Sequence, residues 1–351
     1  MNTGTDQFRL RNITLGAAQP STATTSWTRF EYTFTTTTGG VYELSIQNTE
    51  NAAANIEFFG AMLNVGSSAN DYVKVDPSTG GSAPTPAYSG FGDVFGGATA
   101  YYSLRKFTEA ETLNAIRVRR SSDDTEQDIG FDSSGDLDTT ALLAFVGTGG
   151  TDNGYVTTWY DQTGNGNDAT NATESEQPLI VSGGTLVEEN GKAALDFDGV
   201  DDTLLSAASF AQPYTAFAVR KFDTNSGDML ISHDTSTFFG VEFRFVAITR
   251  LSNGTYLNHS VSPTTTQGLL YALGNGSNSE ISIDGGITTT GNSGTAGVSE
   301  LSIGGRASYY FNGKIQEAIY FNSDQSANRG TVTTGGGTLI EGNINTYFDI
   351  V

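Results

Sequence analysis

The chain has no cysteine, and that one absence excludes a disulfide framework, a thiolate nucleophile and thiolate metal sites. Histidine is almost as scarce. His233 and His259 are the only two, too far apart in sequence to suggest a histidine-rich zinc site. No apolar run approaches the roughly 18 residues of a membrane-spanning helix. Residues 1–20 show neither the basic start nor the apolar stretch of a secretory signal, so an extracellular place implies a trimmed chain or release by lysis. Coiled-coil heptads are missing as well. Positive charge is in short supply: 17 Lys and Arg face 39 Asp and Glu, for a net charge of −22. A surface that acidic repels phosphates and anionic lipid, which argues against nucleic-acid and membrane-surface partners.

What is abundant points to an all-β protein. Forty-three glycines, 21 Phe and 15 Tyr, with much Thr, Ser and Asn, suit short strands joined by tight turns. Alternating segments recur at 27–34, 41–46, 115–119, 156–160 and 301–303, each with one apolar and one polar face. Trp159 is expected in the core, opposite Val156, Thr158 and Tyr160. Helical spacing is convincing only over 138–146, where Asp138 and Thr139 can cap an Ala-Leu-Leu-Ala-Phe run, and weaker over 344–350. Ser-Ile-Asp-Gly-Gly at 282–286 carries the Asp-Gly signature of a tight hairpin. The stretch 76–88 holds three of the seven prolines and reads as a linker. The expected division is a piece at 1–75, a linker at 76–89 and a larger domain at 90–351.

Two resemblances refine this. Trp-Thr-Arg-Phe-Glu-Tyr-Thr-Phe at 27–34, Val-Tyr-Glu-Leu-Ser-Ile at 41–46 and the Gly-Ala-x-Leu ending from Gly60 to Lys74 are similar to the closing half of a carbohydrate-binding-like β-sandwich of phage tail and fibre proteins. A half sandwich leaves strand edges uncovered, so this piece is expected to dock on another chain, unless further residues precede it or it is a small self-sufficient domain. In 100–202 the informative runs are Ala-Tyr-Tyr-Ser-Leu-Arg-Lys, Ala-Ile-Arg-Val-Arg-Arg and Val-Thr-Thr-Trp-Tyr-Asp-Gln-Thr-Gly-Asn-Gly-Asn. Gln177-Pro178 and Ala-Leu-Asp-Phe-Asp-Gly-Val-Asp-Asp follow. Together they resemble the concanavalin A-like, laminin-G-like jelly roll of bacterial surface and phage proteins, and the catalytic sandwich of family B α-L-arabinofuranosidases. The fold implied is a jelly-roll β-sandwich preceded by a small partial β-sandwich.

The arabinofuranosidase resemblance implies a nucleophile in a segment marked by adjacent cysteines and a Tyr-Gly-x-x-Glu-like run. The corresponding stretch here, 215–234, has no cysteine and no matching glutamate, and no counterpart of the catalytic acid is identifiable. The expectation is therefore no enzyme. The resemblances imply a bacteriophage virion protein of tail fibre or head surface, attaching to host glycans. It would sit at the virion surface or outside the cell, as an oligomer with other virion chains. The alternatives are a purely architectural virion module or a secreted arabinofuranosidase-like hydrolase.

Site candidates follow from residue chemistry. Tyr160, Asp161, Asn165 and Asn167 could form a sugar loop, with Tyr as stacking face and Asp and Asn bonding hydroxyls. The alternative, which is favoured, is a turn with Gly164 and Gly166 at positive φ and Asp161 on local backbone. Asp196, Asp198, Asp201 and Asp202 could gather around calcium, against the favoured reading of a solvated strand end with turn-forming aspartates. No other cofactor is expected. Arg117, Arg119 and Arg120 face Asp123, Asp124, Glu126 and Asp128 across a hairpin, which predicts cross-strand ion pairs rather than a clamp for an anionic sugar.

Overall fold

The computed structural model describes residues 7–12, 17–22, 44–48, 90–110, 113–223, 229–232, 239–243, 248–261, 264–306, 309–330 and 339–350. The chain divides into two compact units, Met1–Thr85 and Pro86–Val351. In the smaller, strand Gln7–Asn12 is central and pairs antiparallel with Ala17–Thr22 and Leu44–Asn48. Pro20 falls on an outer strand of this sheet, opposite Arg9, the position in a sheet where proline is tolerated. The segments 27–34 and 60–74 and the linker at 76–88 lie outside the described residues, and of 41–46 only 44–46 are described.

The larger unit is an antiparallel β-sandwich. In the first layer the long strand Asn312–Phe321 pairs with Tyr214–Phe222 on one edge. Its other edge takes Leu195–Asp198 at the start and Ala100–Ser103 at the end. Gly268–Gly274, Ser279–Ile283 and Thr289–Gly291 extend the layer beyond Tyr214–Phe222. The second layer runs from Glu126–Ile129 through Ile116–Arg120, Gly154–Trp159, Ala169–Thr170 and Leu204–Ser206 to Leu301–Ile303. Met229–Ser232, Phe239–Phe243, Thr249–Asn253 and Tyr256–Asn258 continue it. Leu179–Ser182 pairs with both Gly154–Trp159 and Leu195–Asp198, and so joins the layers.

Two cores result from strand alternation. Between the layers lie Tyr102, Tyr214, Ala216, Ala218 and Tyr320 from one sheet, with Val118, Trp159, Leu251 and Ile303 from the other. The opposite face of the first layer presents Tyr101, Phe217, Val219, Tyr271, Ile319 and Phe321. These are covered by Phe91, Phe107 and by Ile340, Ile344 and Phe348 of the C-terminal helix. Covered on both faces, Tyr214–Phe222 and Gly268–Gly274 read as near-continuous apolar runs rather than alternating ones.

The helix at Thr139–Val146 is capped as its sequence demands: the Asp138 carboxylate accepts the Ala141 N–H at 2.9 Å. The C-terminal helix, Ile340–Phe348, begins four residues before the spacing suggests and stops at Asp349 in the left-handed region (φ 51°). Asp284 and Gly285 both take positive φ (53° and 61°) in a tight turn closed by the Gly286 N–H on the Ile283 carbonyl at 2.9 Å. The flanking strands pair last at Ile281 and Thr289, so the hairpin loop is longer than the Asp-Gly signature suggests. Among the described residues no helix is long and apolar enough to cross a membrane.

The alternation expected over 156–160 is broken by a bulge, and a second bulge interrupts the long strand Asn312–Phe321. Arg117 pairs with Thr158 but Val118 with Val156, leaving Thr157 extra, so Val156 joins Trp159 in the core. Likewise Val219 pairs with Glu317 but Arg220 with Ile315, leaving Gln316 extra. Ile315 thereby points into the core with Ala318 and Tyr320, while Glu317 and Ile319 face the C-terminal helix. A single inserted residue inverts every side chain beyond it.

Candidate functional site

The loop after strand Gly154–Trp159 is held by its own side chains. Asp161, 1% exposed, accepts the N–H groups of Tyr101 and Thr163 and the Thr163 hydroxyl on Oδ1, and the Asn167 N–H on Oδ2, at 2.8–3.1 Å. Asn165 and Asn167 both donate their side-chain amides to the Thr99 carbonyl, at 3.0 and 2.9 Å. Gln162 is buried and bridges the Phe107 N–H and the Ser103 carbonyl, both at 2.8 Å. Tyr160 donates to Asp128 at 2.7 Å, and burial followed by that carboxylate pushes its phenol up to about 12. Gly164 and Gly166 take φ of 78° and 75°. The motif thus ties the loop to the neighbouring strand Ala100–Ser103, which accounts for its residue types without a ligand.

The arginine hairpin forms the expected ion pairs. Arg117 meets Asp128 through two bonds of 2.7 and 3.0 Å, Arg119 meets Asp124 at 2.8 Å, and Arg120 meets Asp123 at 2.7 Å. Arg119 does more than this. It is nearly buried, donates to the Gln177 side chain at 2.9 Å and the Glu174 carbonyl at 3.2 Å, and its guanidinium lies 4.9 Å from the centre of the Tyr155 ring. Gln177 is itself anchored to the Asn171 carbonyl at 3.0 Å.

Arg119, Tyr155 and Gln177 form one wall of an open cleft of about 590 Å³, and Glu174, Asp196, Asp198 and Asp202 bring its carboxylates. Leu195 and Phe197 bury on one face of their strand, so Asp196 and Asp198 share the other. The chain then turns through Gly199 (φ 77°). Asp198 Oδ1 accepts the Val200 and Asp201 N–H groups, and Asp202 Oδ2 accepts the Asp198 N–H at 2.9 Å. This local bonding folds the acidic turn back on itself and leaves Asp202 only 6% exposed. Burial, then the neighbouring charges of Asp198, Asp201 and Asp196, push the Asp202 carboxyl up to about 7, against the pull of the Asp198 N–H. Asp196 is also raised by burial, with Lys314 at 3.8 Å opposing. A carboxyl that still holds its proton near neutrality can act as an acid toward a bound molecule.

Of the four aspartates considered for calcium, three come together: Asp198, Asp201 and Asp202 place carboxylate oxygens within 4.8 Å of one another. Asp196 lies outside that group, facing Lys314. Calcium takes roughly six to eight oxygens. With Asp198 Oδ1 and Asp202 Oδ2 engaged by turn N–H groups, these residues make a partial shell only. His259 Nδ1 pairs with the Thr289 hydroxyl at 2.9 Å, and His233 lies outside the described residues.

No family model and no curated protein matches the chain. Among solved structures it is similar to a mutant GH54 α-L-arabinofuranosidase soaked with 4-nitrophenyl α-L-arabinofuranoside, at 16% identity and a TM-score of 0.49. That match covers 72% of this chain and 62% of the other. An arabinofuranosidase complexed with arabinofuranosyl-α-1,2-xylobiose matches at 18% identity and TM-score 0.48, covering 66% and 61%. A Trypanosoma rangeli sialidase in complex with the inhibitor DANA matches at 14% and 0.37, covering 55% and 30%. The chain therefore spans about 62% of the length of the first of these enzymes.

The expectation that the chain is not an enzyme is corrected by these findings, because the solved structures it is similar to are glycoside hydrolases with substrate or inhibitor bound. The physical flaw in that expectation was to seek one family's carboxylates in sequence order. The fold brings Glu174, Asp196, Asp198 and Asp202 to one cleft from separate segments. Reasoning from sequence noted Arg119 and Gln177-Pro178 but not that they meet Tyr155 and the acidic turn. No spacing signal joins positions so far apart in the chain.

Proposed function

We propose that the larger unit engages a polysaccharide in the cleft between Arg119 and Asp202 and hydrolyses a glycosidic bond there, with Asp202 as the general acid. The observation that carries this reading is the position of Asp202: buried, lining the cleft, and bonded, among the described residues, through one carboxylate oxygen only. Glycoside hydrolysis needs an acid that keeps its proton near neutrality and a second carboxylate that is ionised. Asp198 and Glu174 are the candidates for the second role. Tyr155 offers an aromatic flank beside the cleft, while Arg119 and Gln177 stay rigid through their mutual bond, so a sugar meets a preformed wall.

The setting proposed with this activity is the virion surface or the extracellular space. Host cell-surface polysaccharide would be the ligand, and other virion chains would be partners in an oligomer. The resemblance of residues 27–74 to phage tail and fibre modules supports that setting.

The test is reducing-end release from a panel of plant and bacterial polysaccharides by the full chain and by Asp202→Asn. The expected result is turnover that falls by roughly 10²–10⁴-fold in the variant, with glycan binding retained. Turnover equal in both proteins would overturn the assignment of the acid. A panel that is neither bound nor cleaved would overturn the function.

A further inference from the structure

The bulge in strand Gly154–Trp159 has a partner beside the cleft. Thr157 is extra in the pairing with Ile116–Arg120, and on its other side its carbonyl accepts the Asn171 N–H at 3.0 Å. Asn171 is buried, and its side chain bonds two segments that carry opposite walls of the cleft. Its Nδ2 donates to the Thr203 carbonyl at 2.9 Å and to the Glu176 carbonyl at 3.1 Å, while Oδ1 accepts the Thr173 N–H at 2.8 Å. Thr203 directly follows Asp202, and Glu176 directly precedes Gln177. The Asn171 carbonyl takes the Gln177 amide at 3.0 Å, and Gln177 takes Arg119 Nε at 2.9 Å. A bond from the Thr203 N–H to the Glu176 carbonyl, also 3.0 Å, closes the ring. Asn171 does not itself line the cleft, so it acts through these neighbours.

We infer that Asn171 is the positioning residue of this site: its side-chain amide fixes the Thr203 backbone against the Glu176–Gln177 loop and so holds Asp202 in place across from Arg119. This rests on the reading of Asp202 as the acid and adds what keeps it there. Two walls built from separate segments can slide unless one group bonds both. A carboxamide suits the task, because two N–H donors reach two carbonyls and the oxygen remains for a third partner. Removing it leaves the Thr203 carbonyl without that donor and frees the acidic turn from the loop. A misplacement of about 1 Å at a reacting group costs roughly 10²-fold in rate. Water that enters with the loosening also lessens the burial that raises the Asp202 carboxyl, while Asp198, Asp201 and Asp196 remain beside it.

The test compares Asn171→Ala with Asn253→Ala, which removes a buried asparagine that bonds Tyr214 and Ser293 outside the cleft lining. Both substitutions should lower stability. Two further readouts, taken on the full chain with EDTA present, separate positioning from mere support. One is the pH profile of kcat on a polysaccharide that the natural protein cleaves. The other is the titration of the Asp202 carboxyl, followed by NMR of labelled aspartates and assigned with Asp202→Asn. In Asn171→Ala, kcat is expected to fall roughly 10²-fold with a smaller change in KM. The alkaline limb of its profile and the Asp202 titration should both move to lower pH, and in Asn253→Ala neither should move. Asn171→Ser keeps one donor, should fall between, and takes the place of Asn171→Ala if that variant does not fold. An unmoved Asp202 titration in the Asn171 variants, an equal displacement in Asn253→Ala, or a kcat equal to that of the natural protein would overturn the positioning role. If the natural protein cleaves no polysaccharide, the acid reading falls; a titration displaced only at Asn171, which needs no substrate, would still support its hold on Asp202.

Discussion

Two buried carboxylates of the larger unit show what separates architecture from chemistry in this fold. Glu317 lies beneath the C-terminal helix and is fully buried. It accepts the Tyr101 and Ser103 hydroxyls and a two-pronged Arg105 guanidinium, at 2.7–2.9 Å, and Arg105 is held in turn by Asn343 of the helix at 3.0 Å. Asp202 is buried almost as deeply but accepts one backbone N–H, has three acidic neighbours, and opens on a cleft. At the first, hydroxyl donors and a guanidinium surround the carboxylate. At the second, burial and like charges outweigh the single Asp198 N–H, and the proton stays on into the neutral range. Burial alone therefore does not mark a functional acid; burial with an unfilled acceptor beside solvent does.

Substitutions can break or sharpen that contrast. The largest effect is expected at Glu317→Gln, which strands Arg105 and should destabilise the larger unit by about 3–5 kcal/mol in denaturant unfolding. A loss below about 1 kcal/mol would remove the claim that this cluster is structural. Asp161→Ala takes four hydrogen bonds from the loop after Trp159 and should cost about 2–3 kcal/mol, read from the same curves. If it also abolished glycan binding with stability intact, the loop would be a sugar site after all.

Asp202→Asn should behave in the opposite way to the change at Glu317, and its effect should depend on pH. Unfolded Asp202 ionises near pH 4, whereas the folded group does so near 7. Across that window the unfolded chain binds fewer protons, so the contribution of this group to stability falls as pH rises. The variant lacks the dependence and should gain on the natural protein between pH 4 and 7. Parallel stability profiles across that range would contradict the raised carboxyl. The smallest effect belongs to Arg117→Ala, whose ion pairs with Asp128 and Glu126 are substantially exposed. It should shift stability by no more than about 1 kcal/mol, with a still smaller shift in high salt.

Much of this was legible from residue order. Patterns of period two, turn glycines and the Asp138 cap are local signals, set by a few neighbouring residues, and they correctly indicated an all-β sandwich with its hairpins and short helix. Trp159 in the core and the ion pairs opposite Arg117–Arg120 were legible for the same reason. The two bulges were not. An extra residue at Thr157 or Gln316 leaves the composition of a strand unchanged and is chosen by pairing with a strand distant in sequence.

The cleft shows the same limit. Each of its residues is ordinary in sequence, and 39 acidic residues make paired carboxylates unremarkable. Only tertiary structure set Arg119 and Tyr155 against Gln177 and turned Asp202 inward without a cation. Burial and charge proximity are properties of assembled layers, and these two quantities raise one aspartate near neutrality while its neighbour Asp198 stays exposed at the rim. The sequence by itself determined the sandwich and the loops that close it; the packing of the layers decided which of its many carboxylates could do chemistry.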